Sequence, residues 1–373
     1  MFSTLDVLTL AQCPGVGSNR LRSLVMAMRQ RPTIEDLSPR EIAGVEGFGR
    51  KLAVSVSRFT RSGEFARARE FAQRQLSMLN RIGGTIVGCW DEQYPPLLAA
   101  IYDPPPYLFM RGKFSGGDPY TLAIVGTRVP SEYGALMAEK FSREFARAGV
   151  TVVSGLARGI DTVAHSAALR SGGRTIAVIG SGLDVVYPPE NRDLLERICT
   201  SGAVVSEFPM GTTPEAQNFP KRNRIISGLS LGTLVVETDL TGGAMITANL
   251  ALDQNREVFA IPGQIDRRRS RGCHALIREG RAKLVESIED IVAELGPKLG
   301  PFPARIGSHV PDRPATLGLF EQALLDMLTE TPSHIDALAA KSGFSTSDAL
   351  VNLLALEFKG LARQLPGKMF VRM

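Results

Sequence analysis

Cysteine, histidine and aromatic residues are scarce in this 373-residue chain, and each scarcity closes off a class of function. The four cysteines, Cys13, Cys89, Cys199 and Cys273, stand far apart with no Cys-x-x-Cys pair. The four histidines, His165, His274, His309 and His334, show no ligand spacing. A zinc site or disulfide framework is therefore not expected, and a reducing cytosol fits. No apolar run approaches about 18 residues, and the N-terminus MFSTLDVLTLAQCPGVG lacks the basic start and apolar core of a signal peptide. The expectation is a soluble cytoplasmic protein with no membrane partner.

Nucleotide signatures are missing too. There is no G-x-x-x-x-G-K-[ST], and GSGLDVV breaks the G-x-G-x-x-G pattern at its last glycine. ATP hydrolysis and dinucleotide redox chemistry drop out, and no cofactor or metal is expected. The net charge is only +5, which permits a polyanionic partner without demanding one. Its distribution is uneven, because residues 1–82 hold 13 Lys or Arg against 7 Asp or Glu and the remainder is close to neutral.

Residues 5–82 have helical periodicity broken by two glycine turns, CPGVGSNRLRSLV (13–25) and IAGVEGFGRKLAVSV (42–56), which read as one helix–turn–helix unit repeated. Proline-punctuated pieces over 83–114 suggest short strands. From 121 onward the pattern changes to short apolar runs: LAIVG (122–126), VTVVSG (150–155), TIAVIG (175–180), AVVSEF (203–208), GTLVVE (232–237) and EVFAIPG (257–263). Amphipathic stretches such as 131–149 separate them. Strands buried on both faces with helices between them predict an α/β, doubly wound parallel sheet. The Pro- and Gly-rich stretch 296–316 reads as a linker. Three helix candidates and two short strand-like pieces around Pro366-Gly367 then give a winged-helix outline, with Ser345 to Leu356 as its recognition helix. That helix carries Asp348 and is flanked by Glu357, with only Lys359 after it, which argues against groove reading.

Ligands of an open parallel sheet sit outside the carboxyl ends of its strands. Those ends read Gly126-Thr127-Arg128, Ser154-Gly155, Gly180-Ser181-Gly182, Ser206-Glu207, Glu237-Thr238 and Pro262-Gly263, with Gly242-Gly243 ahead of a further helix. Small residues let a ligand approach the backbone, and helix starts attract phosphate oxygens. The segment FPKRNRIISGLS places Lys221, Arg222, Asn223 and Arg224 between apolar anchors, read here as a basic loop. With Arg128 these cations span more than one phosphate, which suits a long polyanion and counterion release. Phe219 and Tyr187 are the nearby candidates for base stacking, or else core. The run Arg267 to Arg271 serves equally as a solvated charge run. Asp161 and His165, spaced i, i+4, form either a general-base pair or a buried tertiary hydrogen bond. Glu207 and Glu237 could act on a ribose, or hold the basic loop in place.

The motifs IVGTR, SGLARGIDTVAHSAAL, GSGLDVVYPPEN, SEFPMG, FPKRNRIISGLS, VVETDLTGGAMITA and AIPG followed by RGCHALI resemble the DprA (Smf) family, densely over residues 84–290. The glycine turns resemble its helix-hairpin-helix or SAM-like domain, and the tail resembles its winged-helix domain. The resemblance implies an extended Rossmann-like domain that binds single-stranded DNA, forms a homodimer and loads the RecA recombinase during natural transformation, without enzymatic activity. By motif, Gly126, Thr127 and Arg128 would line the DNA pocket, and Lys221 to Arg224 would grip phosphates. Ser154, Gly155, Ser181 and Gly182 would supply close backbone contacts. The chain departs from the family pattern at TGGAMITA and at His274 and Arg281. The implied division is 1–82 helical, 83–295 Rossmann-like, 296–316 linker and 317–373 winged helix.

Two other readings stand beside this one. The first is a nucleotide-binding or N-glycosidic-bond-cleaving enzyme of the lysine-decarboxylase-like Rossmann group; its P-G-G-x-G-T-x-x-E signature is absent, and the nearest stretch is PGQIDRRRS. The second makes the N-terminal helices the main DNA contact, through backbone N–H groups at their glycine turns.

Overall fold

Four- and five-residue strands rich in Val, Ile, Leu and Ala, buried on both faces, build the centre of the molecule. The computed structural model describes every residue except 1, 29, 31–33, 36, 117, 300–317, 330, 359–360, 366 and 373. Met1–Ile306 and Gly307–Met373 form two compact units.

In the first unit, five helices come first: α1 (Thr4–Leu10), α2 (Ser18–Met28), α3 (Pro39–Ala43), α4 (Arg50–Phe59) and α5 (Gly63–Arg81). Ser3 and Ser38 each close a capping box, which fixes where α1 and α3 begin. The expected turns are there, with Gly15 and Gly47 at φ 81° and 84°, a backbone region that disfavours any side chain. These helices share their own core around Leu10, Leu24, Val25, Ile42 and Val56, and Trp90 and Tyr107 pack against it from the sheet domain.

The sheet contains β1 (Thr85–Gly88), β2 (Tyr107–Gly112), β3 (Thr121–Val125), β4 (Thr151–Ser154), β5 (Thr175–Val178), β6 (Ala203–Ser206), β7 (Gly232–Val235), β8 (Glu257–Ala260) and β9 (Lys283–Leu284). Its order is β1-β2-β6-β5-β4-β3-β7-β8-β9. From β6 to β9 every pairing is parallel, whereas β1 and β2 form an antiparallel margin. The chain winds outward from β3 to β6, then returns to place β7 on the other side of β3. This reversal makes the carboxyl ends around β3 the topological switch point.

Helices cover both faces. Short α6 (Pro96–Ala99) precedes β2, and α7 (Glu132–Arg147), α8 (Ile160–Arg170), α9 (Arg192–Ser201), α10 (Asn218–Gly228), α11 (Gly243–Asp253), α12 (Arg271–Arg278) and α13 (Ile288–Leu299) follow. Alternate residues of each strand serve opposite layers. Leu122 and Ile124 pack with Phe141 and Phe145 of α7, while Ala123 and Val125 pack with Ile225 and Ile226 of α10 and Ala248 of α11. Two sequence expectations change here. The basic stretch 221–224 is not a loop but the first half of α10. The linker expected from 296 begins inside α13, which runs to Leu299, and from 300 it lies outside the described residues.

The second unit holds α14 (Leu319–Met327), β10 (Ser333–His334), α15 (Ile335–Ser342), α16 (Thr346–Phe358), β11 (Ala362–Leu365) and β12 (Met369–Arg372). Its sheet has the order β10-β12-β11, and Leu324, Leu338, Leu353, Leu356 and Phe370 form its core. Three helices and a β-hairpin in this order are a winged helix. The expected recognition helix is α16, started by the Ser345 hydroxyl, which accepts from the Asp348 N–H. Lys359 and Pro366 lie outside the described residues.

Phe141 has no solvent exposure and anchors α7 to the sheet. Phe141→Ala is expected to cost about 3–5 kcal/mol, read as a lowered urea midpoint; an unchanged midpoint would contradict α7's place in the core.

Candidate nucleic-acid interface

At the carboxyl edge of the sheet, Phe219 at the start of α10 lies half-buried against Gly180, which ends the β5 segment. The Arg128 guanidinium, from the loop after β3, stands over this ring at 5.1 Å from its centroid, and that of Arg222 at 5.8 Å. The Tyr187 ring, 37% exposed, is tilted beside it at 6.0 Å. Arg128 and Lys221 are exposed, and no acidic residue occupies the first turn of α10. The helix N-terminus therefore adds its partial positive charge to that of the side chains. The result is an aromatic surface flanked by cations, open to solvent, at the ends of β3 and β5.

The four residues of the expected basic loop fan out around the helix. Lys221 faces solvent. Arg224 donates two hydrogen bonds to the Glu207 carboxylate, at 2.5 and 2.6 Å, and one to the Asp103 carbonyl at 2.6 Å. Arg222 and Asn223 are buried, at 4% and 9% exposure. Arg222 Nη1 donates to the Val178 carbonyl at 2.5 Å and approaches the Asp161 carboxylate where Gly155 lacks a side chain, so a Cβ at 155 would collide with both groups. Its Nε finds no partner, and burial pushes its pKa down to about 10 despite Asp161. The expectation that all four residues face a ligand is corrected by helix geometry: successive side chains are about 100° apart, so one face cannot hold four neighbours.

The remaining expected contacts divide in the same way. Gly126 and Thr127 are half-buried at the edge beside Arg128. Ser154, Gly155, Ser181 and Gly182 lie inside the fold: Ser154 donates to the Ile124 carbonyl and Ser181 to the Val185 carbonyl. They support the edge from below. Gly242 and Gly243 begin α11 after β7, on the far side of β3 from Phe219, with Gly243 open to solvent. Gly159 is a residue that sequence reasoning passed over. At φ 77°, it sits where any Cβ would collide with the Thr127 and Arg128 backbone, while the Ile160 N–H donates to the Thr127 carbonyl. Its glycine ahead of a helix was the available signal.

The candidate acid–base groups are committed to the fold. Asp161 accepts from the Gly155 and Ala157 N–H groups, and burial pushes its carboxyl pKa up against the pull of Arg222. His165 bonds the Thr175 hydroxyl at 2.7 Å, its Nε2 has no partner, and burial followed by the Arg222 charge lowers its pKa to about 3. Glu237 accepts from the Ser131 N–H and hydroxyl at the start of α7. In the Arg-rich loop, Arg268 pairs with Asp239 and Arg267 bonds Gln264. Among the described residues, no group of His, Cys, Asp and Glu is placed to hold a metal.

The family described as DNA recombination-mediator protein A matches residues 85–296, which include every element of this edge, and the DprA winged helix domain matches residues 310–368. The chain belongs to the DprA/Smf family. Protein Smf of Synechocystis is 35% identical with 98% of each chain covered, and Protein Smf of Escherichia coli is 40% identical with 80% of each covered. Among solved structures, DNA processing protein A of Streptococcus pneumoniae aligns with a TM-score of 0.64 at 36% identity, over 79% of this chain and 98% of that one. The structure of the Helicobacter pylori protein, described for its single-stranded DNA binding mode, aligns with a TM-score of 0.52 at 28% identity, over 58% of this chain and 97% of that one. DprA/Smf membership gives the function class of this chain as recombination mediation in DNA processing.

The buried His165 makes stability depend on pH. The unfolded chain protonates this ring near pH 6.5 and the folded one only near 3, so its stabilising effect is complete above 6.5 and lost as pH falls through that window. Asp161 has the opposite slope, because its raised pKa favours the fold below about 3.8 and loses that effect as pH rises through the raised value. Comparing wild type with His165→Gln isolates the histidine. Between pH 7 and 5, urea unfolding should show wild type losing up to about 2 kcal/mol more than the variant; equal losses would contradict a neutral buried His165.

Proposed function

We propose that the protein binds single-stranded DNA along the carboxyl-end edge of its sheet and acts there as a non-catalytic mediator. It would protect incoming strands and load RecA onto them during DNA uptake. The observation that carries the DNA reading is the Phe219 ring, half-buried with the guanidinium groups of Arg128 and Arg222 at 5.1 and 5.8 Å from its centroid. An aromatic face with adjacent cations suits unpaired bases and their phosphates, since every base has a π-face and stacking is indifferent to sequence. In this reading Gly126, Thr127, Arg128, Phe219 and Lys221 meet the strand. Arg222, Ser154, Gly155, Ser181 and Gly182 hold those groups in place. Asn223, Arg224, Gly242 and Gly243 border the path.

The non-enzymatic reading is supported by the occupancy of the carboxylates. Glu207 is clamped by Arg224 and Glu237 by Ser131, so neither is free to attack or protonate a glycosidic bond. RecA loading, a homodimer and a cytoplasmic location belong to the same proposal. No helix among the described residues is long and apolar enough to cross a membrane. We take 1–82, 83–295 and 317–373 as the domains, joined by the 296–316 linker. The winged helix suits a protein contact better than a DNA groove, because α16 carries no Lys or Arg.

Arg128 and Lys221 are the pair to remove, because both are exposed, whereas Arg222 is buried and Arg224 is paired with Glu207. Fluorescence anisotropy with a labelled single strand should show the slope of log affinity against log salt falling by about 1.4 in the double Ala variant. Phe219→Ala should weaken binding by about 1–3 kcal/mol at any one salt concentration. Unchanged slope and affinity in both variants would remove DNA from this edge.

A further inference from the structure

The N-terminal helices and the loop before β2 enclose a groove of about 760 Å³ that the strand-end edge does not use. Tyr102 stands at its margin, 94% exposed, although the residues around it, Ile101 and Pro104, are buried. The loop is therefore pinned while its aromatic ring is left in solvent. The facing wall is α2, with Arg20, Arg22 and the 57% exposed Met26, and the turn containing Glu46 and Gly47. Arg20 donates from Nε to the Gly47 carbonyl at 3.0 Å and from Nη1 to the Gly15 carbonyl at 2.9 Å. It ties the two glycine turns together and keeps a cation on the wall. Arg22 reaches the Ala99 carbonyl at 3.4 Å, beside the same loop.

We infer that this groove holds a second stretch of the DNA strand bound at the sheet edge, with Tyr102 as its stacking surface and Arg20 and Arg22 beside its phosphates. The inference rests on the reading that the edge binds single-stranded DNA. Continuity supports it. Lys221 and Arg224 lie one turn apart on the same face of α10. Arg224 donates to the Asp103 carbonyl at 2.6 Å, and its Nε lies 3.5 Å from the Asp103 carboxylate. Asp103 is the neighbour of Tyr102, so the path from the edge to the groove crosses one side-chain contact. Charge agrees, because the N-terminal segment holds the chain's basic excess and Glu46 is the one carboxylate among the groove's lining residues. A free ring offers its face to an unpaired base, whereas the bases of a duplex are already stacked on each other.

The test uses the full chain and two oligo(dT) strands, one of about 8 nucleotides to fill the edge alone and one of about 24 to reach the groove. Tyr102→Ala should lower affinity for the long strand at least about five-fold and leave the short strand unaffected. Tyr102→Trp should show fluorescence quenched by the long strand and not by the short one, against the constant background of Trp90, the chain's one tryptophan. Unchanged long-strand affinity in the Ala variant overturns the inference. So does stronger quenching by a 24-base-pair duplex than by the single strand (about 24 positions in both). Equal losses at both lengths, accompanied by a changed sedimentation coefficient, assign the groove to protein–protein contact and also overturn it. Short-strand binding with unchanged affinity and salt slope after loss of Arg128 and Lys221 would instead remove the edge reading.

Discussion

The buried guanidinium of Arg222 is the constraint on which the binding edge depends. It ends beneath the edge at the Val178 carbonyl, beside Asp161 and in the space that Gly155 leaves open. A buried cation needs partners, and those available lie at the ends of β4 and β5 and the start of α8. Satisfying them fixes the rotation of α10 about its axis. Once that rotation is set, Phe219 lies over Gly180, Lys221 points outward and Arg224 meets Glu207. Stability and ligand geometry are thus determined by the same side chain, which makes Arg222 a poor residue for isolating DNA contact by deletion.

The same geometry divides the cations of the FPKRNR segment into three roles. One is internal, one is neutralised by a carboxylate, and one is free for a ligand. Counting charges along the chain therefore overstates what the surface offers. The aromatic ring compensates: with Arg128 arriving from β3 and Tyr187 from the β5 side, a few exposed groups converge on one spot. Gly159 serves this convergence from a distance, since its bare backbone allows the Arg128 loop to pack closely.

Much of the architecture was legible in the sequence for a simple reason. Strands buried on both faces are predominantly apolar, and the six runs from 122 to 263 coincide with the parallel strands β3 to β8, β3 starting one residue earlier at Thr121. The strand-end positions followed from fold topology. What escaped was the state of residues 221–224. The stretch Ile225-Ile226-Ser227-Gly228 is too short for periodicity to separate helix from loop, and α10 starts without a side-chain cap. Burial of Arg222 was equally hidden, because its partners, a carbonyl at 178 and a carboxylate at 161, are distant in the chain. Asp161 and His165 showed correct helical spacing, yet both point into the fold, and spacing alone carries no sign of which face is inside. The two-residue strands β9 and β10 left no pattern at all.

The most direct test of the account is photocrosslinking of a single-stranded oligonucleotide carrying 5-iodouracil, with the attachment sites mapped by mass spectrometry. Base stacking at the carboxyl edge predicts crosslinks at Phe219 and Tyr187. Crosslinks confined to residues 318–373, with none on the sheet edge, would contradict it and move the DNA to the winged helix.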